Sequence, residues 1–254
     1  MAQSKLFDLS GRVALITGGN GGIGRSIALG FAESGASVAI LGRNAAKNKK
    51  ALLELQALGA RALAIEADIT DRAQCEPSVA RVERELGSVD ILVNNAGIGL
   101  IKPSLEVPIE EWDQVLAINL TACFVMSQAA GRRMAKRKLG KIINISSIYG
   151  LFGNAVAASY SATKGALINL TKSMAIELAP VNVQVNAIVP GYFHTELTDA
   201  FKDKPFYDEL IRRVPAGRWG EPDELAGAAI FLASRASDFV TGTSVVVDGG
   251  FAAN

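Results

Sequence analysis

Short apolar runs rich in β-branched residues alternate along the chain with longer stretches whose apolar residues recur every three or four positions. The runs VALIT (13–17), SVAIL (37–41), ALAIEAD (62–68), VDILVNNAG (89–97), KIINIS (141–146), VQVNAIVPG (183–191) and TSVVVDGG (243–250) predict seven strands, some running into a turn. Between them, residues 22–35 keep Ile23, Ile27 and Phe31 on one helical face and end in glycine. Residues 45–58, 72–86, Glu110 to about Arg137, 158–179 and 222–233 also read as helices. The long helix has a break near Ile118, and Pro180 stops the one that begins at 158. After the sixth strand the pattern is irregular as far as Gly220.

Strands that are apolar on both faces and are joined by helical crossovers predict an α/β protein. The expected form is a Rossmann-like, doubly wound, seven-stranded parallel sheet with helices on both faces. No linker or internal repeat divides the chain, so residues 1–254 read as a single domain. Such sheets bind ligands at the carboxyl ends of their strands. The segments there are Thr17–Gly24, Gly42–Arg43, Asp68, Asn94–Gly97, Ser146–Ser147 and Pro190–Thr195, the polar and glycine-rich parts of the chain.

Composition narrows the function classes. The chain is 49% hydrophobic and 20% charged, enough for a sizeable core. Its 26 basic and 25 acidic residues argue against nucleic acid or an acidic membrane as partner. The densest basic run, from Arg132 to Lys141, reads as the last turn of a helix that ends at Gly140, where cations suit the dipole. Cys75 and Cys123 suggest no disulfide framework and fit a reducing cytoplasm. His194 is the only histidine, which leaves no metal cluster to expect. The N-terminal MAQSKLFDLSGR lacks a signal-peptide core, and no apolar stretch reads as long enough to span a membrane.

TGGNGGIG (17–24) joins the first strand to the first helix. Its glycines permit a tight turn and let backbone N–H groups approach a pyrophosphate at the helix N-terminus. Gly18, Gly22 and Gly24 fall in a G-x-x-x-G-x-G spacing. An acid to hold a ribose 2′-hydroxyl belongs about 20 residues further on. Gly42 stands there instead, and the adjacent Arg43 suits a 2′-phosphate, so NADP is favoured over NAD.

SYSATKG (159–165) places Tyr160 and Lys164 four residues apart, on one face of a helix. Alone, the pair says little. With TGGNGGIG, NNAG (94–97), Ser147 thirteen residues before Tyr160, and the Pro190-Gly191 step, the chain resembles the short-chain dehydrogenase/reductase family from about Gly11 to Gly250.

The resemblance implies a nicotinamide cofactor, a small alcohol or ketone substrate and a homotetramer. It places the catalytic set on Asn119, Ser147, Tyr160 and Lys164. Tyr160 would be the acid/base, Ser147 would bind the substrate oxygen, Lys164 would stabilise the phenolate, and Asn119 would hold a water leading to solvent. Cofactor contacts are implied at Gly18, Asn20, Gly22, Ile23, Gly24, Arg43, Asp68, Ile69, Asn95, Ala96, Gly97, Tyr160, Lys164, Ile188, Pro190, Gly191 and Thr195. Taken singly, Ser147 could cap a turn and Asn119 could mend a helix break.

The substrate walls would come from Ile98–Lys102, Ile148–Ser159 and a loop at about 192–215. Ile98, Leu100, Ile148, Leu151, Phe152, Tyr192 and Phe193 suggest an apolar or neutral pocket. GYFHTELT and PAGRWGEPDELAGAAIFLAS resemble the gluconate branch of the family, with a 3-oxoacyl thioester reductase as the alternative. Gluconate-type relatives carry an arginine soon after NNAG. Here Ile-Gly-Leu-Ile-Lys follows, which speaks against a sugar acid. A non-catalytic nucleotide-sensing module would have a broken catalytic set, and this one is intact.

Overall fold

Every residue of β1 (Val13–Thr17) is buried, so this strand has no solvent face. Val13 and Leu15 enter one core cluster while Ala14 and Ile16 enter another, as the two-residue period of a strand requires. β2 (Ser37–Gly42), β3 (Ala62–Glu66), β4 (Ile91–Asn94), β5 (Gly140–Ile145), β6 (Val183–Pro190) and β7 (Ser244–Val247) complete the sheet, and all neighbours are parallel. The computed structural model describes residues 5–199, 201–204 and 207–253. The substrate loop expected at about 192–215 therefore lies partly outside the described residues.

The strand order is 3-2-1-4-5-6-7, the doubly wound arrangement expected from the sequence. Winding reverses between β1 and β4, which opens a crevice at their carboxyl ends. On one face, α1 (Gly22–Glu33) brings Ile27 and Phe31, and α9 (Ala226–Ala233) brings Ala229 and Leu232, against Ile16, Val93 and Ile143. α2 (Ala45–Ala57) adds Ala51 and Leu55. On the other face, α3 (Arg72–Glu85) and α5 (Ala122–Arg137) pack Val79, Val82, Met126 and Met134 on Leu15, Leu92 and Ile142. α6 (Ala158–Leu178) joins this cluster through Met174 and Ala175. Phe31 is wholly buried, so truncating it to alanine costs about 3–5 kcal/mol.

The break expected near Ile118 is a π-turn, Ala117–Thr121, between α4 (Ile109–Leu116) and α5. A π-turn inserts one residue and turns the following side chains without ending the helix. Ile109–Arg137 is thus one helical stretch, long and apolar enough to cross a membrane by length and composition, contrary to the expectation from sequence. Its membrane-length window is 56% buried, and Met126, Ala130 and Met134 spend that apolarity on the core.

The basic run also differs from expectation. α5 ends at Arg137, not Gly140; Lys138 takes the left-handed conformation at φ 55°. Gly140 already belongs to β5, where an added Cβ would lie 2.5 Å from Met134 Sδ. Lys136 and Arg137 do lie in the last turn of α5, as expected, while other cations of the run pair with acids. Arg133 meets Glu76 and Glu83 at 2.6 and 2.9 Å, and Lys141 meets Asp238 at 2.9 Å.

The stretch that reads as irregular holds two short helices, α7 (Glu196–Asp199) and α8 (Tyr207–Arg212). α8 packs Tyr207, Leu210 and Ile211 against a third cluster that includes Tyr192, Val214, Trp219 and Phe251.

Candidate active site

A cavity of about 640 Å³ runs across the carboxyl ends of the strands, from Arg43 and Asp68 past the glycine loop to Tyr160 and Lys164. Its walls include Gly18, Asn20, Gly22, Ile23, Arg43, Asp68, Ile69, Asn95, Ala96, Gly97, Ser147, Tyr160, Lys164, Pro190, Gly191 and Thr195. The topology thus gathers most of the residues singled out from sequence into one cleft. Gly24, Asn119 and Ile188 do not face it.

Each of the three has a physical reason. A Cβ at Gly24 would stand 2.3 Å from Asn95 Nδ2 and 2.4 Å from the Gly18 carbonyl, so this glycine lets the loop pack on β4. Ile188 is fully buried in the core within β6, two residues short of the strand end. The wall beyond that strand is instead Pro190, Gly191, Phe193 and Thr195. Asn119 sits in the π-turn with no exposed surface. Its carboxamide accepts from Ile98 N at 2.8 Å and donates to Ile98 O at 2.9 Å and to Thr163 Oγ1 at 3.3 Å. The side chain is therefore engaged with Ile98 and Thr163 beneath the cleft.

The glycine loop is held from beneath. Thr17 Oγ1 accepts from the amides of Asn95 and Ala96 at 3.0 and 3.1 Å. Asn95 Nδ2 donates to the carbonyls of Thr17 and Gly18 at 3.0 and 3.2 Å. Gly18 adopts φ 64°, where an added Cβ would approach Asn95 Nδ2 at 3.0 Å. The residue capping α1 is Gly21, which has no side chain, and the first turn carries no acid. Its orphan N–H groups and dipole thus face the cleft without an internal anion, the arrangement that receives a phosphate.

At the far end, Asn20 Nδ2 donates to Asn48 Oδ1 at 2.6 Å, directly above Gly42. Arg43 is exposed and only 3.8 Å from Asp68. The amide and hydroxyl of Thr70, with Arg43 nearby, hold the Asp68 carboxyl below its ordinary range against the effect of burial.

At the other end, Lys164 is 4% exposed, and its ammonium donates to the Ile145 carbonyl at 2.7 Å. It stands 5.5 Å from the centre of the Tyr160 ring. Gly97 lies beside it: an added Cβ there would be 3.6 Å from Lys164 Nζ, an ordinary contact, and 3.2 Å from Asn119 Oδ1, a tight one. Ser146 is spent on the Lys164 carbonyl at 2.8 Å, which helps fix α6 on β5. Ser147 caps the short turn Ile148–Gly150 by accepting from Tyr149 N at 3.2 Å, and it also lines the cleft. The capping bond thus leaves Ser147 at the cleft wall. Burial pushes the nearby Cys123 thiol up to about 11, opposed by Lys164, so it stays neutral beneath the ammonium.

Sequence reasoning missed Lys47, Ile118 and Glu196 as lining residues, whereas Phe193, expected as a pocket wall, does line the cleft. Lys47 and Glu196 form an ion pair from α2 to α7. No motif signals it, because it joins residues far apart in sequence. Lys102, the only cation in the Ile98–Lys102 stretch, is bound by Glu111 at 2.9 Å. Tyr149 edges onto Tyr160 with centroids 6.4 Å apart, and its hydroxyl shares a hydrogen bond with Tyr192. Burial, aided by that bond, raises the Tyr192 phenol well above its ordinary range, so it remains neutral.

The chain matches the family model described as Enoyl-(Acyl carrier protein) reductase over residues 18–252. It is 45% identical over 249 residues to the 5-keto-D-gluconate 5-reductase of Escherichia coli (strain K12), with 98% of both chains covered. It superimposes on a gluconate 5-dehydrogenase from Burkholderia cenocepacia J2315, in complex with NADP and tartrate, with a TM-score of 0.95, 43% identity and 98% of each chain covered. It is also similar to a short-chain type dehydrogenase/reductase from Mycobacterium marinum, with a TM-score of 0.94, 39% identity, and 98% and 99% coverage. Family and geometry agree, and the chain belongs to the short-chain dehydrogenase/reductase family of NAD(P)-dependent enzymes that interconvert alcohols and ketones.

Proposed function

We propose that this protein is an NADP-dependent oxidoreductase that interconverts a keto sugar acid and its secondary alcohol, with Tyr160 as acid/base. One observation carries the reading. A buried ammonium, Lys164, stands beside the ring of Tyr160 at the end of a cleft whose other end holds Arg43 and an uncapped helix N-terminus. The residues fit a dinucleotide. The glycine loop and α1 would hold the pyrophosphate, Arg43 the 2′-phosphate, and Asp68 and Ile69 the adenine end. Bound nicotinamide supplies or takes the hydride.

The chain's own residues manage the rest. In reduction the Tyr160 hydroxyl gives its proton to the carbonyl oxygen, while Ser147 Oγ donates a hydrogen bond to the same oxygen and fixes it in place. The Lys164 ammonium, anchored on Ile145 O, stabilises the phenolate left behind. In oxidation the phenolate takes the hydroxyl proton. Asn119 is a positioning residue: by gripping Ile98 it fixes the loop whose Gly97 lies against Lys164.

Supporting the sugar-acid class are the names of the gluconate relatives and the tartrate, a hydroxy acid, in the Burkholderia complex. The test is oxidation of NADPH, followed by absorbance, with 5-keto-D-gluconate, an uncharged ketohexose and a 3-oxoacyl thioester. Preference for the keto acid is expected. Preference for the thioester would transfer the reading to acyl reduction.

We also infer a homotetramer of single-domain chains in the cytoplasm. Exposed Ile109, Phe124 and Ile176 on α4, α5 and α6, and Phe239 and Val246 near the β7 edge, leave apolar surface for partner copies. Both cysteines are free and buried, which suits a reducing compartment. Light scattering at micromolar concentration and cell fractionation test the two statements.

A further inference from the structure

A substrate carboxylate needs a cation that the protein has not already neutralised. Near the substrate end, Lys102 is held by Glu111, and Lys164 is turned to the Ile145 carbonyl beneath Tyr160. On the loop itself, Lys202 is held by Asp199 and Arg218 by Glu224. Arg213, which follows α8, forms no ion pair among the described residues; nor do Lys204 and Arg212, but of the three only Arg213 lies over an aromatic ring. Its backbone amide donates to Glu209 O at 3.2 Å, which anchors it to the end of α8.

Its guanidinium lies over the ring of Phe251, 5.0 Å from the centroid. Among the described residues the only two cation–aromatic contacts are this one and Lys164 with Tyr160. A series of aromatic contacts connects them. Tyr160 meets Tyr149 at 6.4 Å, Tyr149 meets Tyr192 at 6.3 Å, and Tyr192 meets Phe251 at 5.6 Å between centroids. Arg213 is close enough for its charge to act on the Tyr192 phenol. The series is backed by Trp219, stacked on Tyr192 at 5.2 Å and 15°.

We propose that Arg213 is the specificity residue that binds the carboxylate of the substrate while the aromatic series from Tyr149 to Phe251 flanks its carbon chain. This rests on the sugar-acid reading. A guanidinium stacked on a ring keeps its planar edge free, and that edge donates two parallel hydrogen bonds to a carboxylate. The site thus supplies from the substrate loop the charge that the Ile98–Lys102 stretch does not. Phe251 holds the guanidinium from behind, which reduces the ordering that binding must impose on a flexible side chain.

The experiment compares kcat/KM for 5-keto-D-gluconate with kcat/KM for an uncharged ketohexose, with NADPH, in the wild type, Arg213→Gln and Arg213→Lys. The acid-over-neutral ratio is expected to fall roughly tenfold to hundredfold in Arg213→Gln, through KM for the acid, with Arg213→Lys in between. An unchanged ratio, including an equal fall for both substrates, overturns the proposal and leaves the sugar-acid reading standing. A wild type that reduces the neutral ketose but no keto acid overturns both.

Discussion

Asn20 and Asn48 meet across Gly42. The bridge is 2.6 Å long, and a Cβ on Gly42 would lie 2.4 Å from Asn20 Nδ2 and 3.0 Å from Asn48 Oδ1. Asn48 is itself fixed, donating to the Gly42 carbonyl at 2.8 Å. Gly42 therefore does two things. It omits the acid that would hold a ribose hydroxyl, and it makes room for an amide bridge. Gly42→Asp is expected to move the NADP-over-NAD ratio of kcat/KM toward NAD by about tenfold or more, through repulsion of the 2′-phosphate. It should also lower the melting temperature by roughly 2–4 °C through the broken bridge. Adding Asn20→Ser, which removes the obstructing amide, should keep the ratio and lessen the steric cost. A ratio unmoved by Gly42→Asp places the cofactor's phosphate elsewhere.

Arg43 carries the complementary prediction. It is exposed and only loosely engaged with Asp68 at 3.8 Å, so it can turn to a phosphate with little internal cost. Arg43→Ala should weaken NADPH binding by roughly tenfold or more while NADH binding stays within about twofold. Fluorescence titration of both reduced cofactors reads this without any substrate. Unaltered NADPH affinity would remove Arg43 from the phosphate site.

What the sequence conveyed and what it withheld have physical causes. The strands, the glycine loop and the Tyr160–Lys164 face rest on local periodicity and short spacing, which a linear reading captures. The π-turn was visible only as a disturbance near Ile118, because an inserted residue shifts the helical period without a marker residue. The core burial of Ile188 and the close approach of Gly24 to Asn95 depend on packing between distant segments, which motif spacing does not show. The grip of the Asn119 carboxamide on Ile98, 21 residues earlier, has no local signal in the sequence. The Lys47–Glu196 pair and the contact of Arg213 with Phe251 join segments far apart in sequence, and no local pattern encodes them.

Tyr160 and Asn119 should separate chemistry from positioning. Tyr160→Phe keeps the ring against Tyr149 and under the influence of Lys164 and removes only the proton carrier. NADPH affinity should hold while kcat falls by about a thousandfold or more. Near-normal turnover in this variant would sink the acid/base assignment. Asn119→Ala leaves the Ile98 amide and carbonyl unpaired, so both stability and turnover should fall, with about 1–3 kcal/mol lost per stranded group. Asn119→Asp can still accept from Ile98 N but cannot donate to Ile98 O, and should stand between them in melting temperature.

Glu224 supplies a test by pH. Arg218 grips its carboxylate through two bonds of 2.6 and 2.7 Å, and the Glu221 amide adds a third at 2.8 Å, closing the capping box ahead of α9. These hydrogen bonds, Arg218 first, hold its carboxyl down to about 2, against the ordinary 4.5. The folded value lies below the unfolded one, so the folded state binds this proton less readily. The stabilisation is therefore full above about 4.5 and is lost as pH falls toward about 2. The pair is exposed, so added salt should shrink the effect. Glu224→Gln should melt below the wild type at neutral pH by a margin that narrows between pH 4.5 and 2. The margin should also narrow in molar salt at neutral pH. A margin constant down to pH 2 would show that the glutamate's charge does not contribute to the cap.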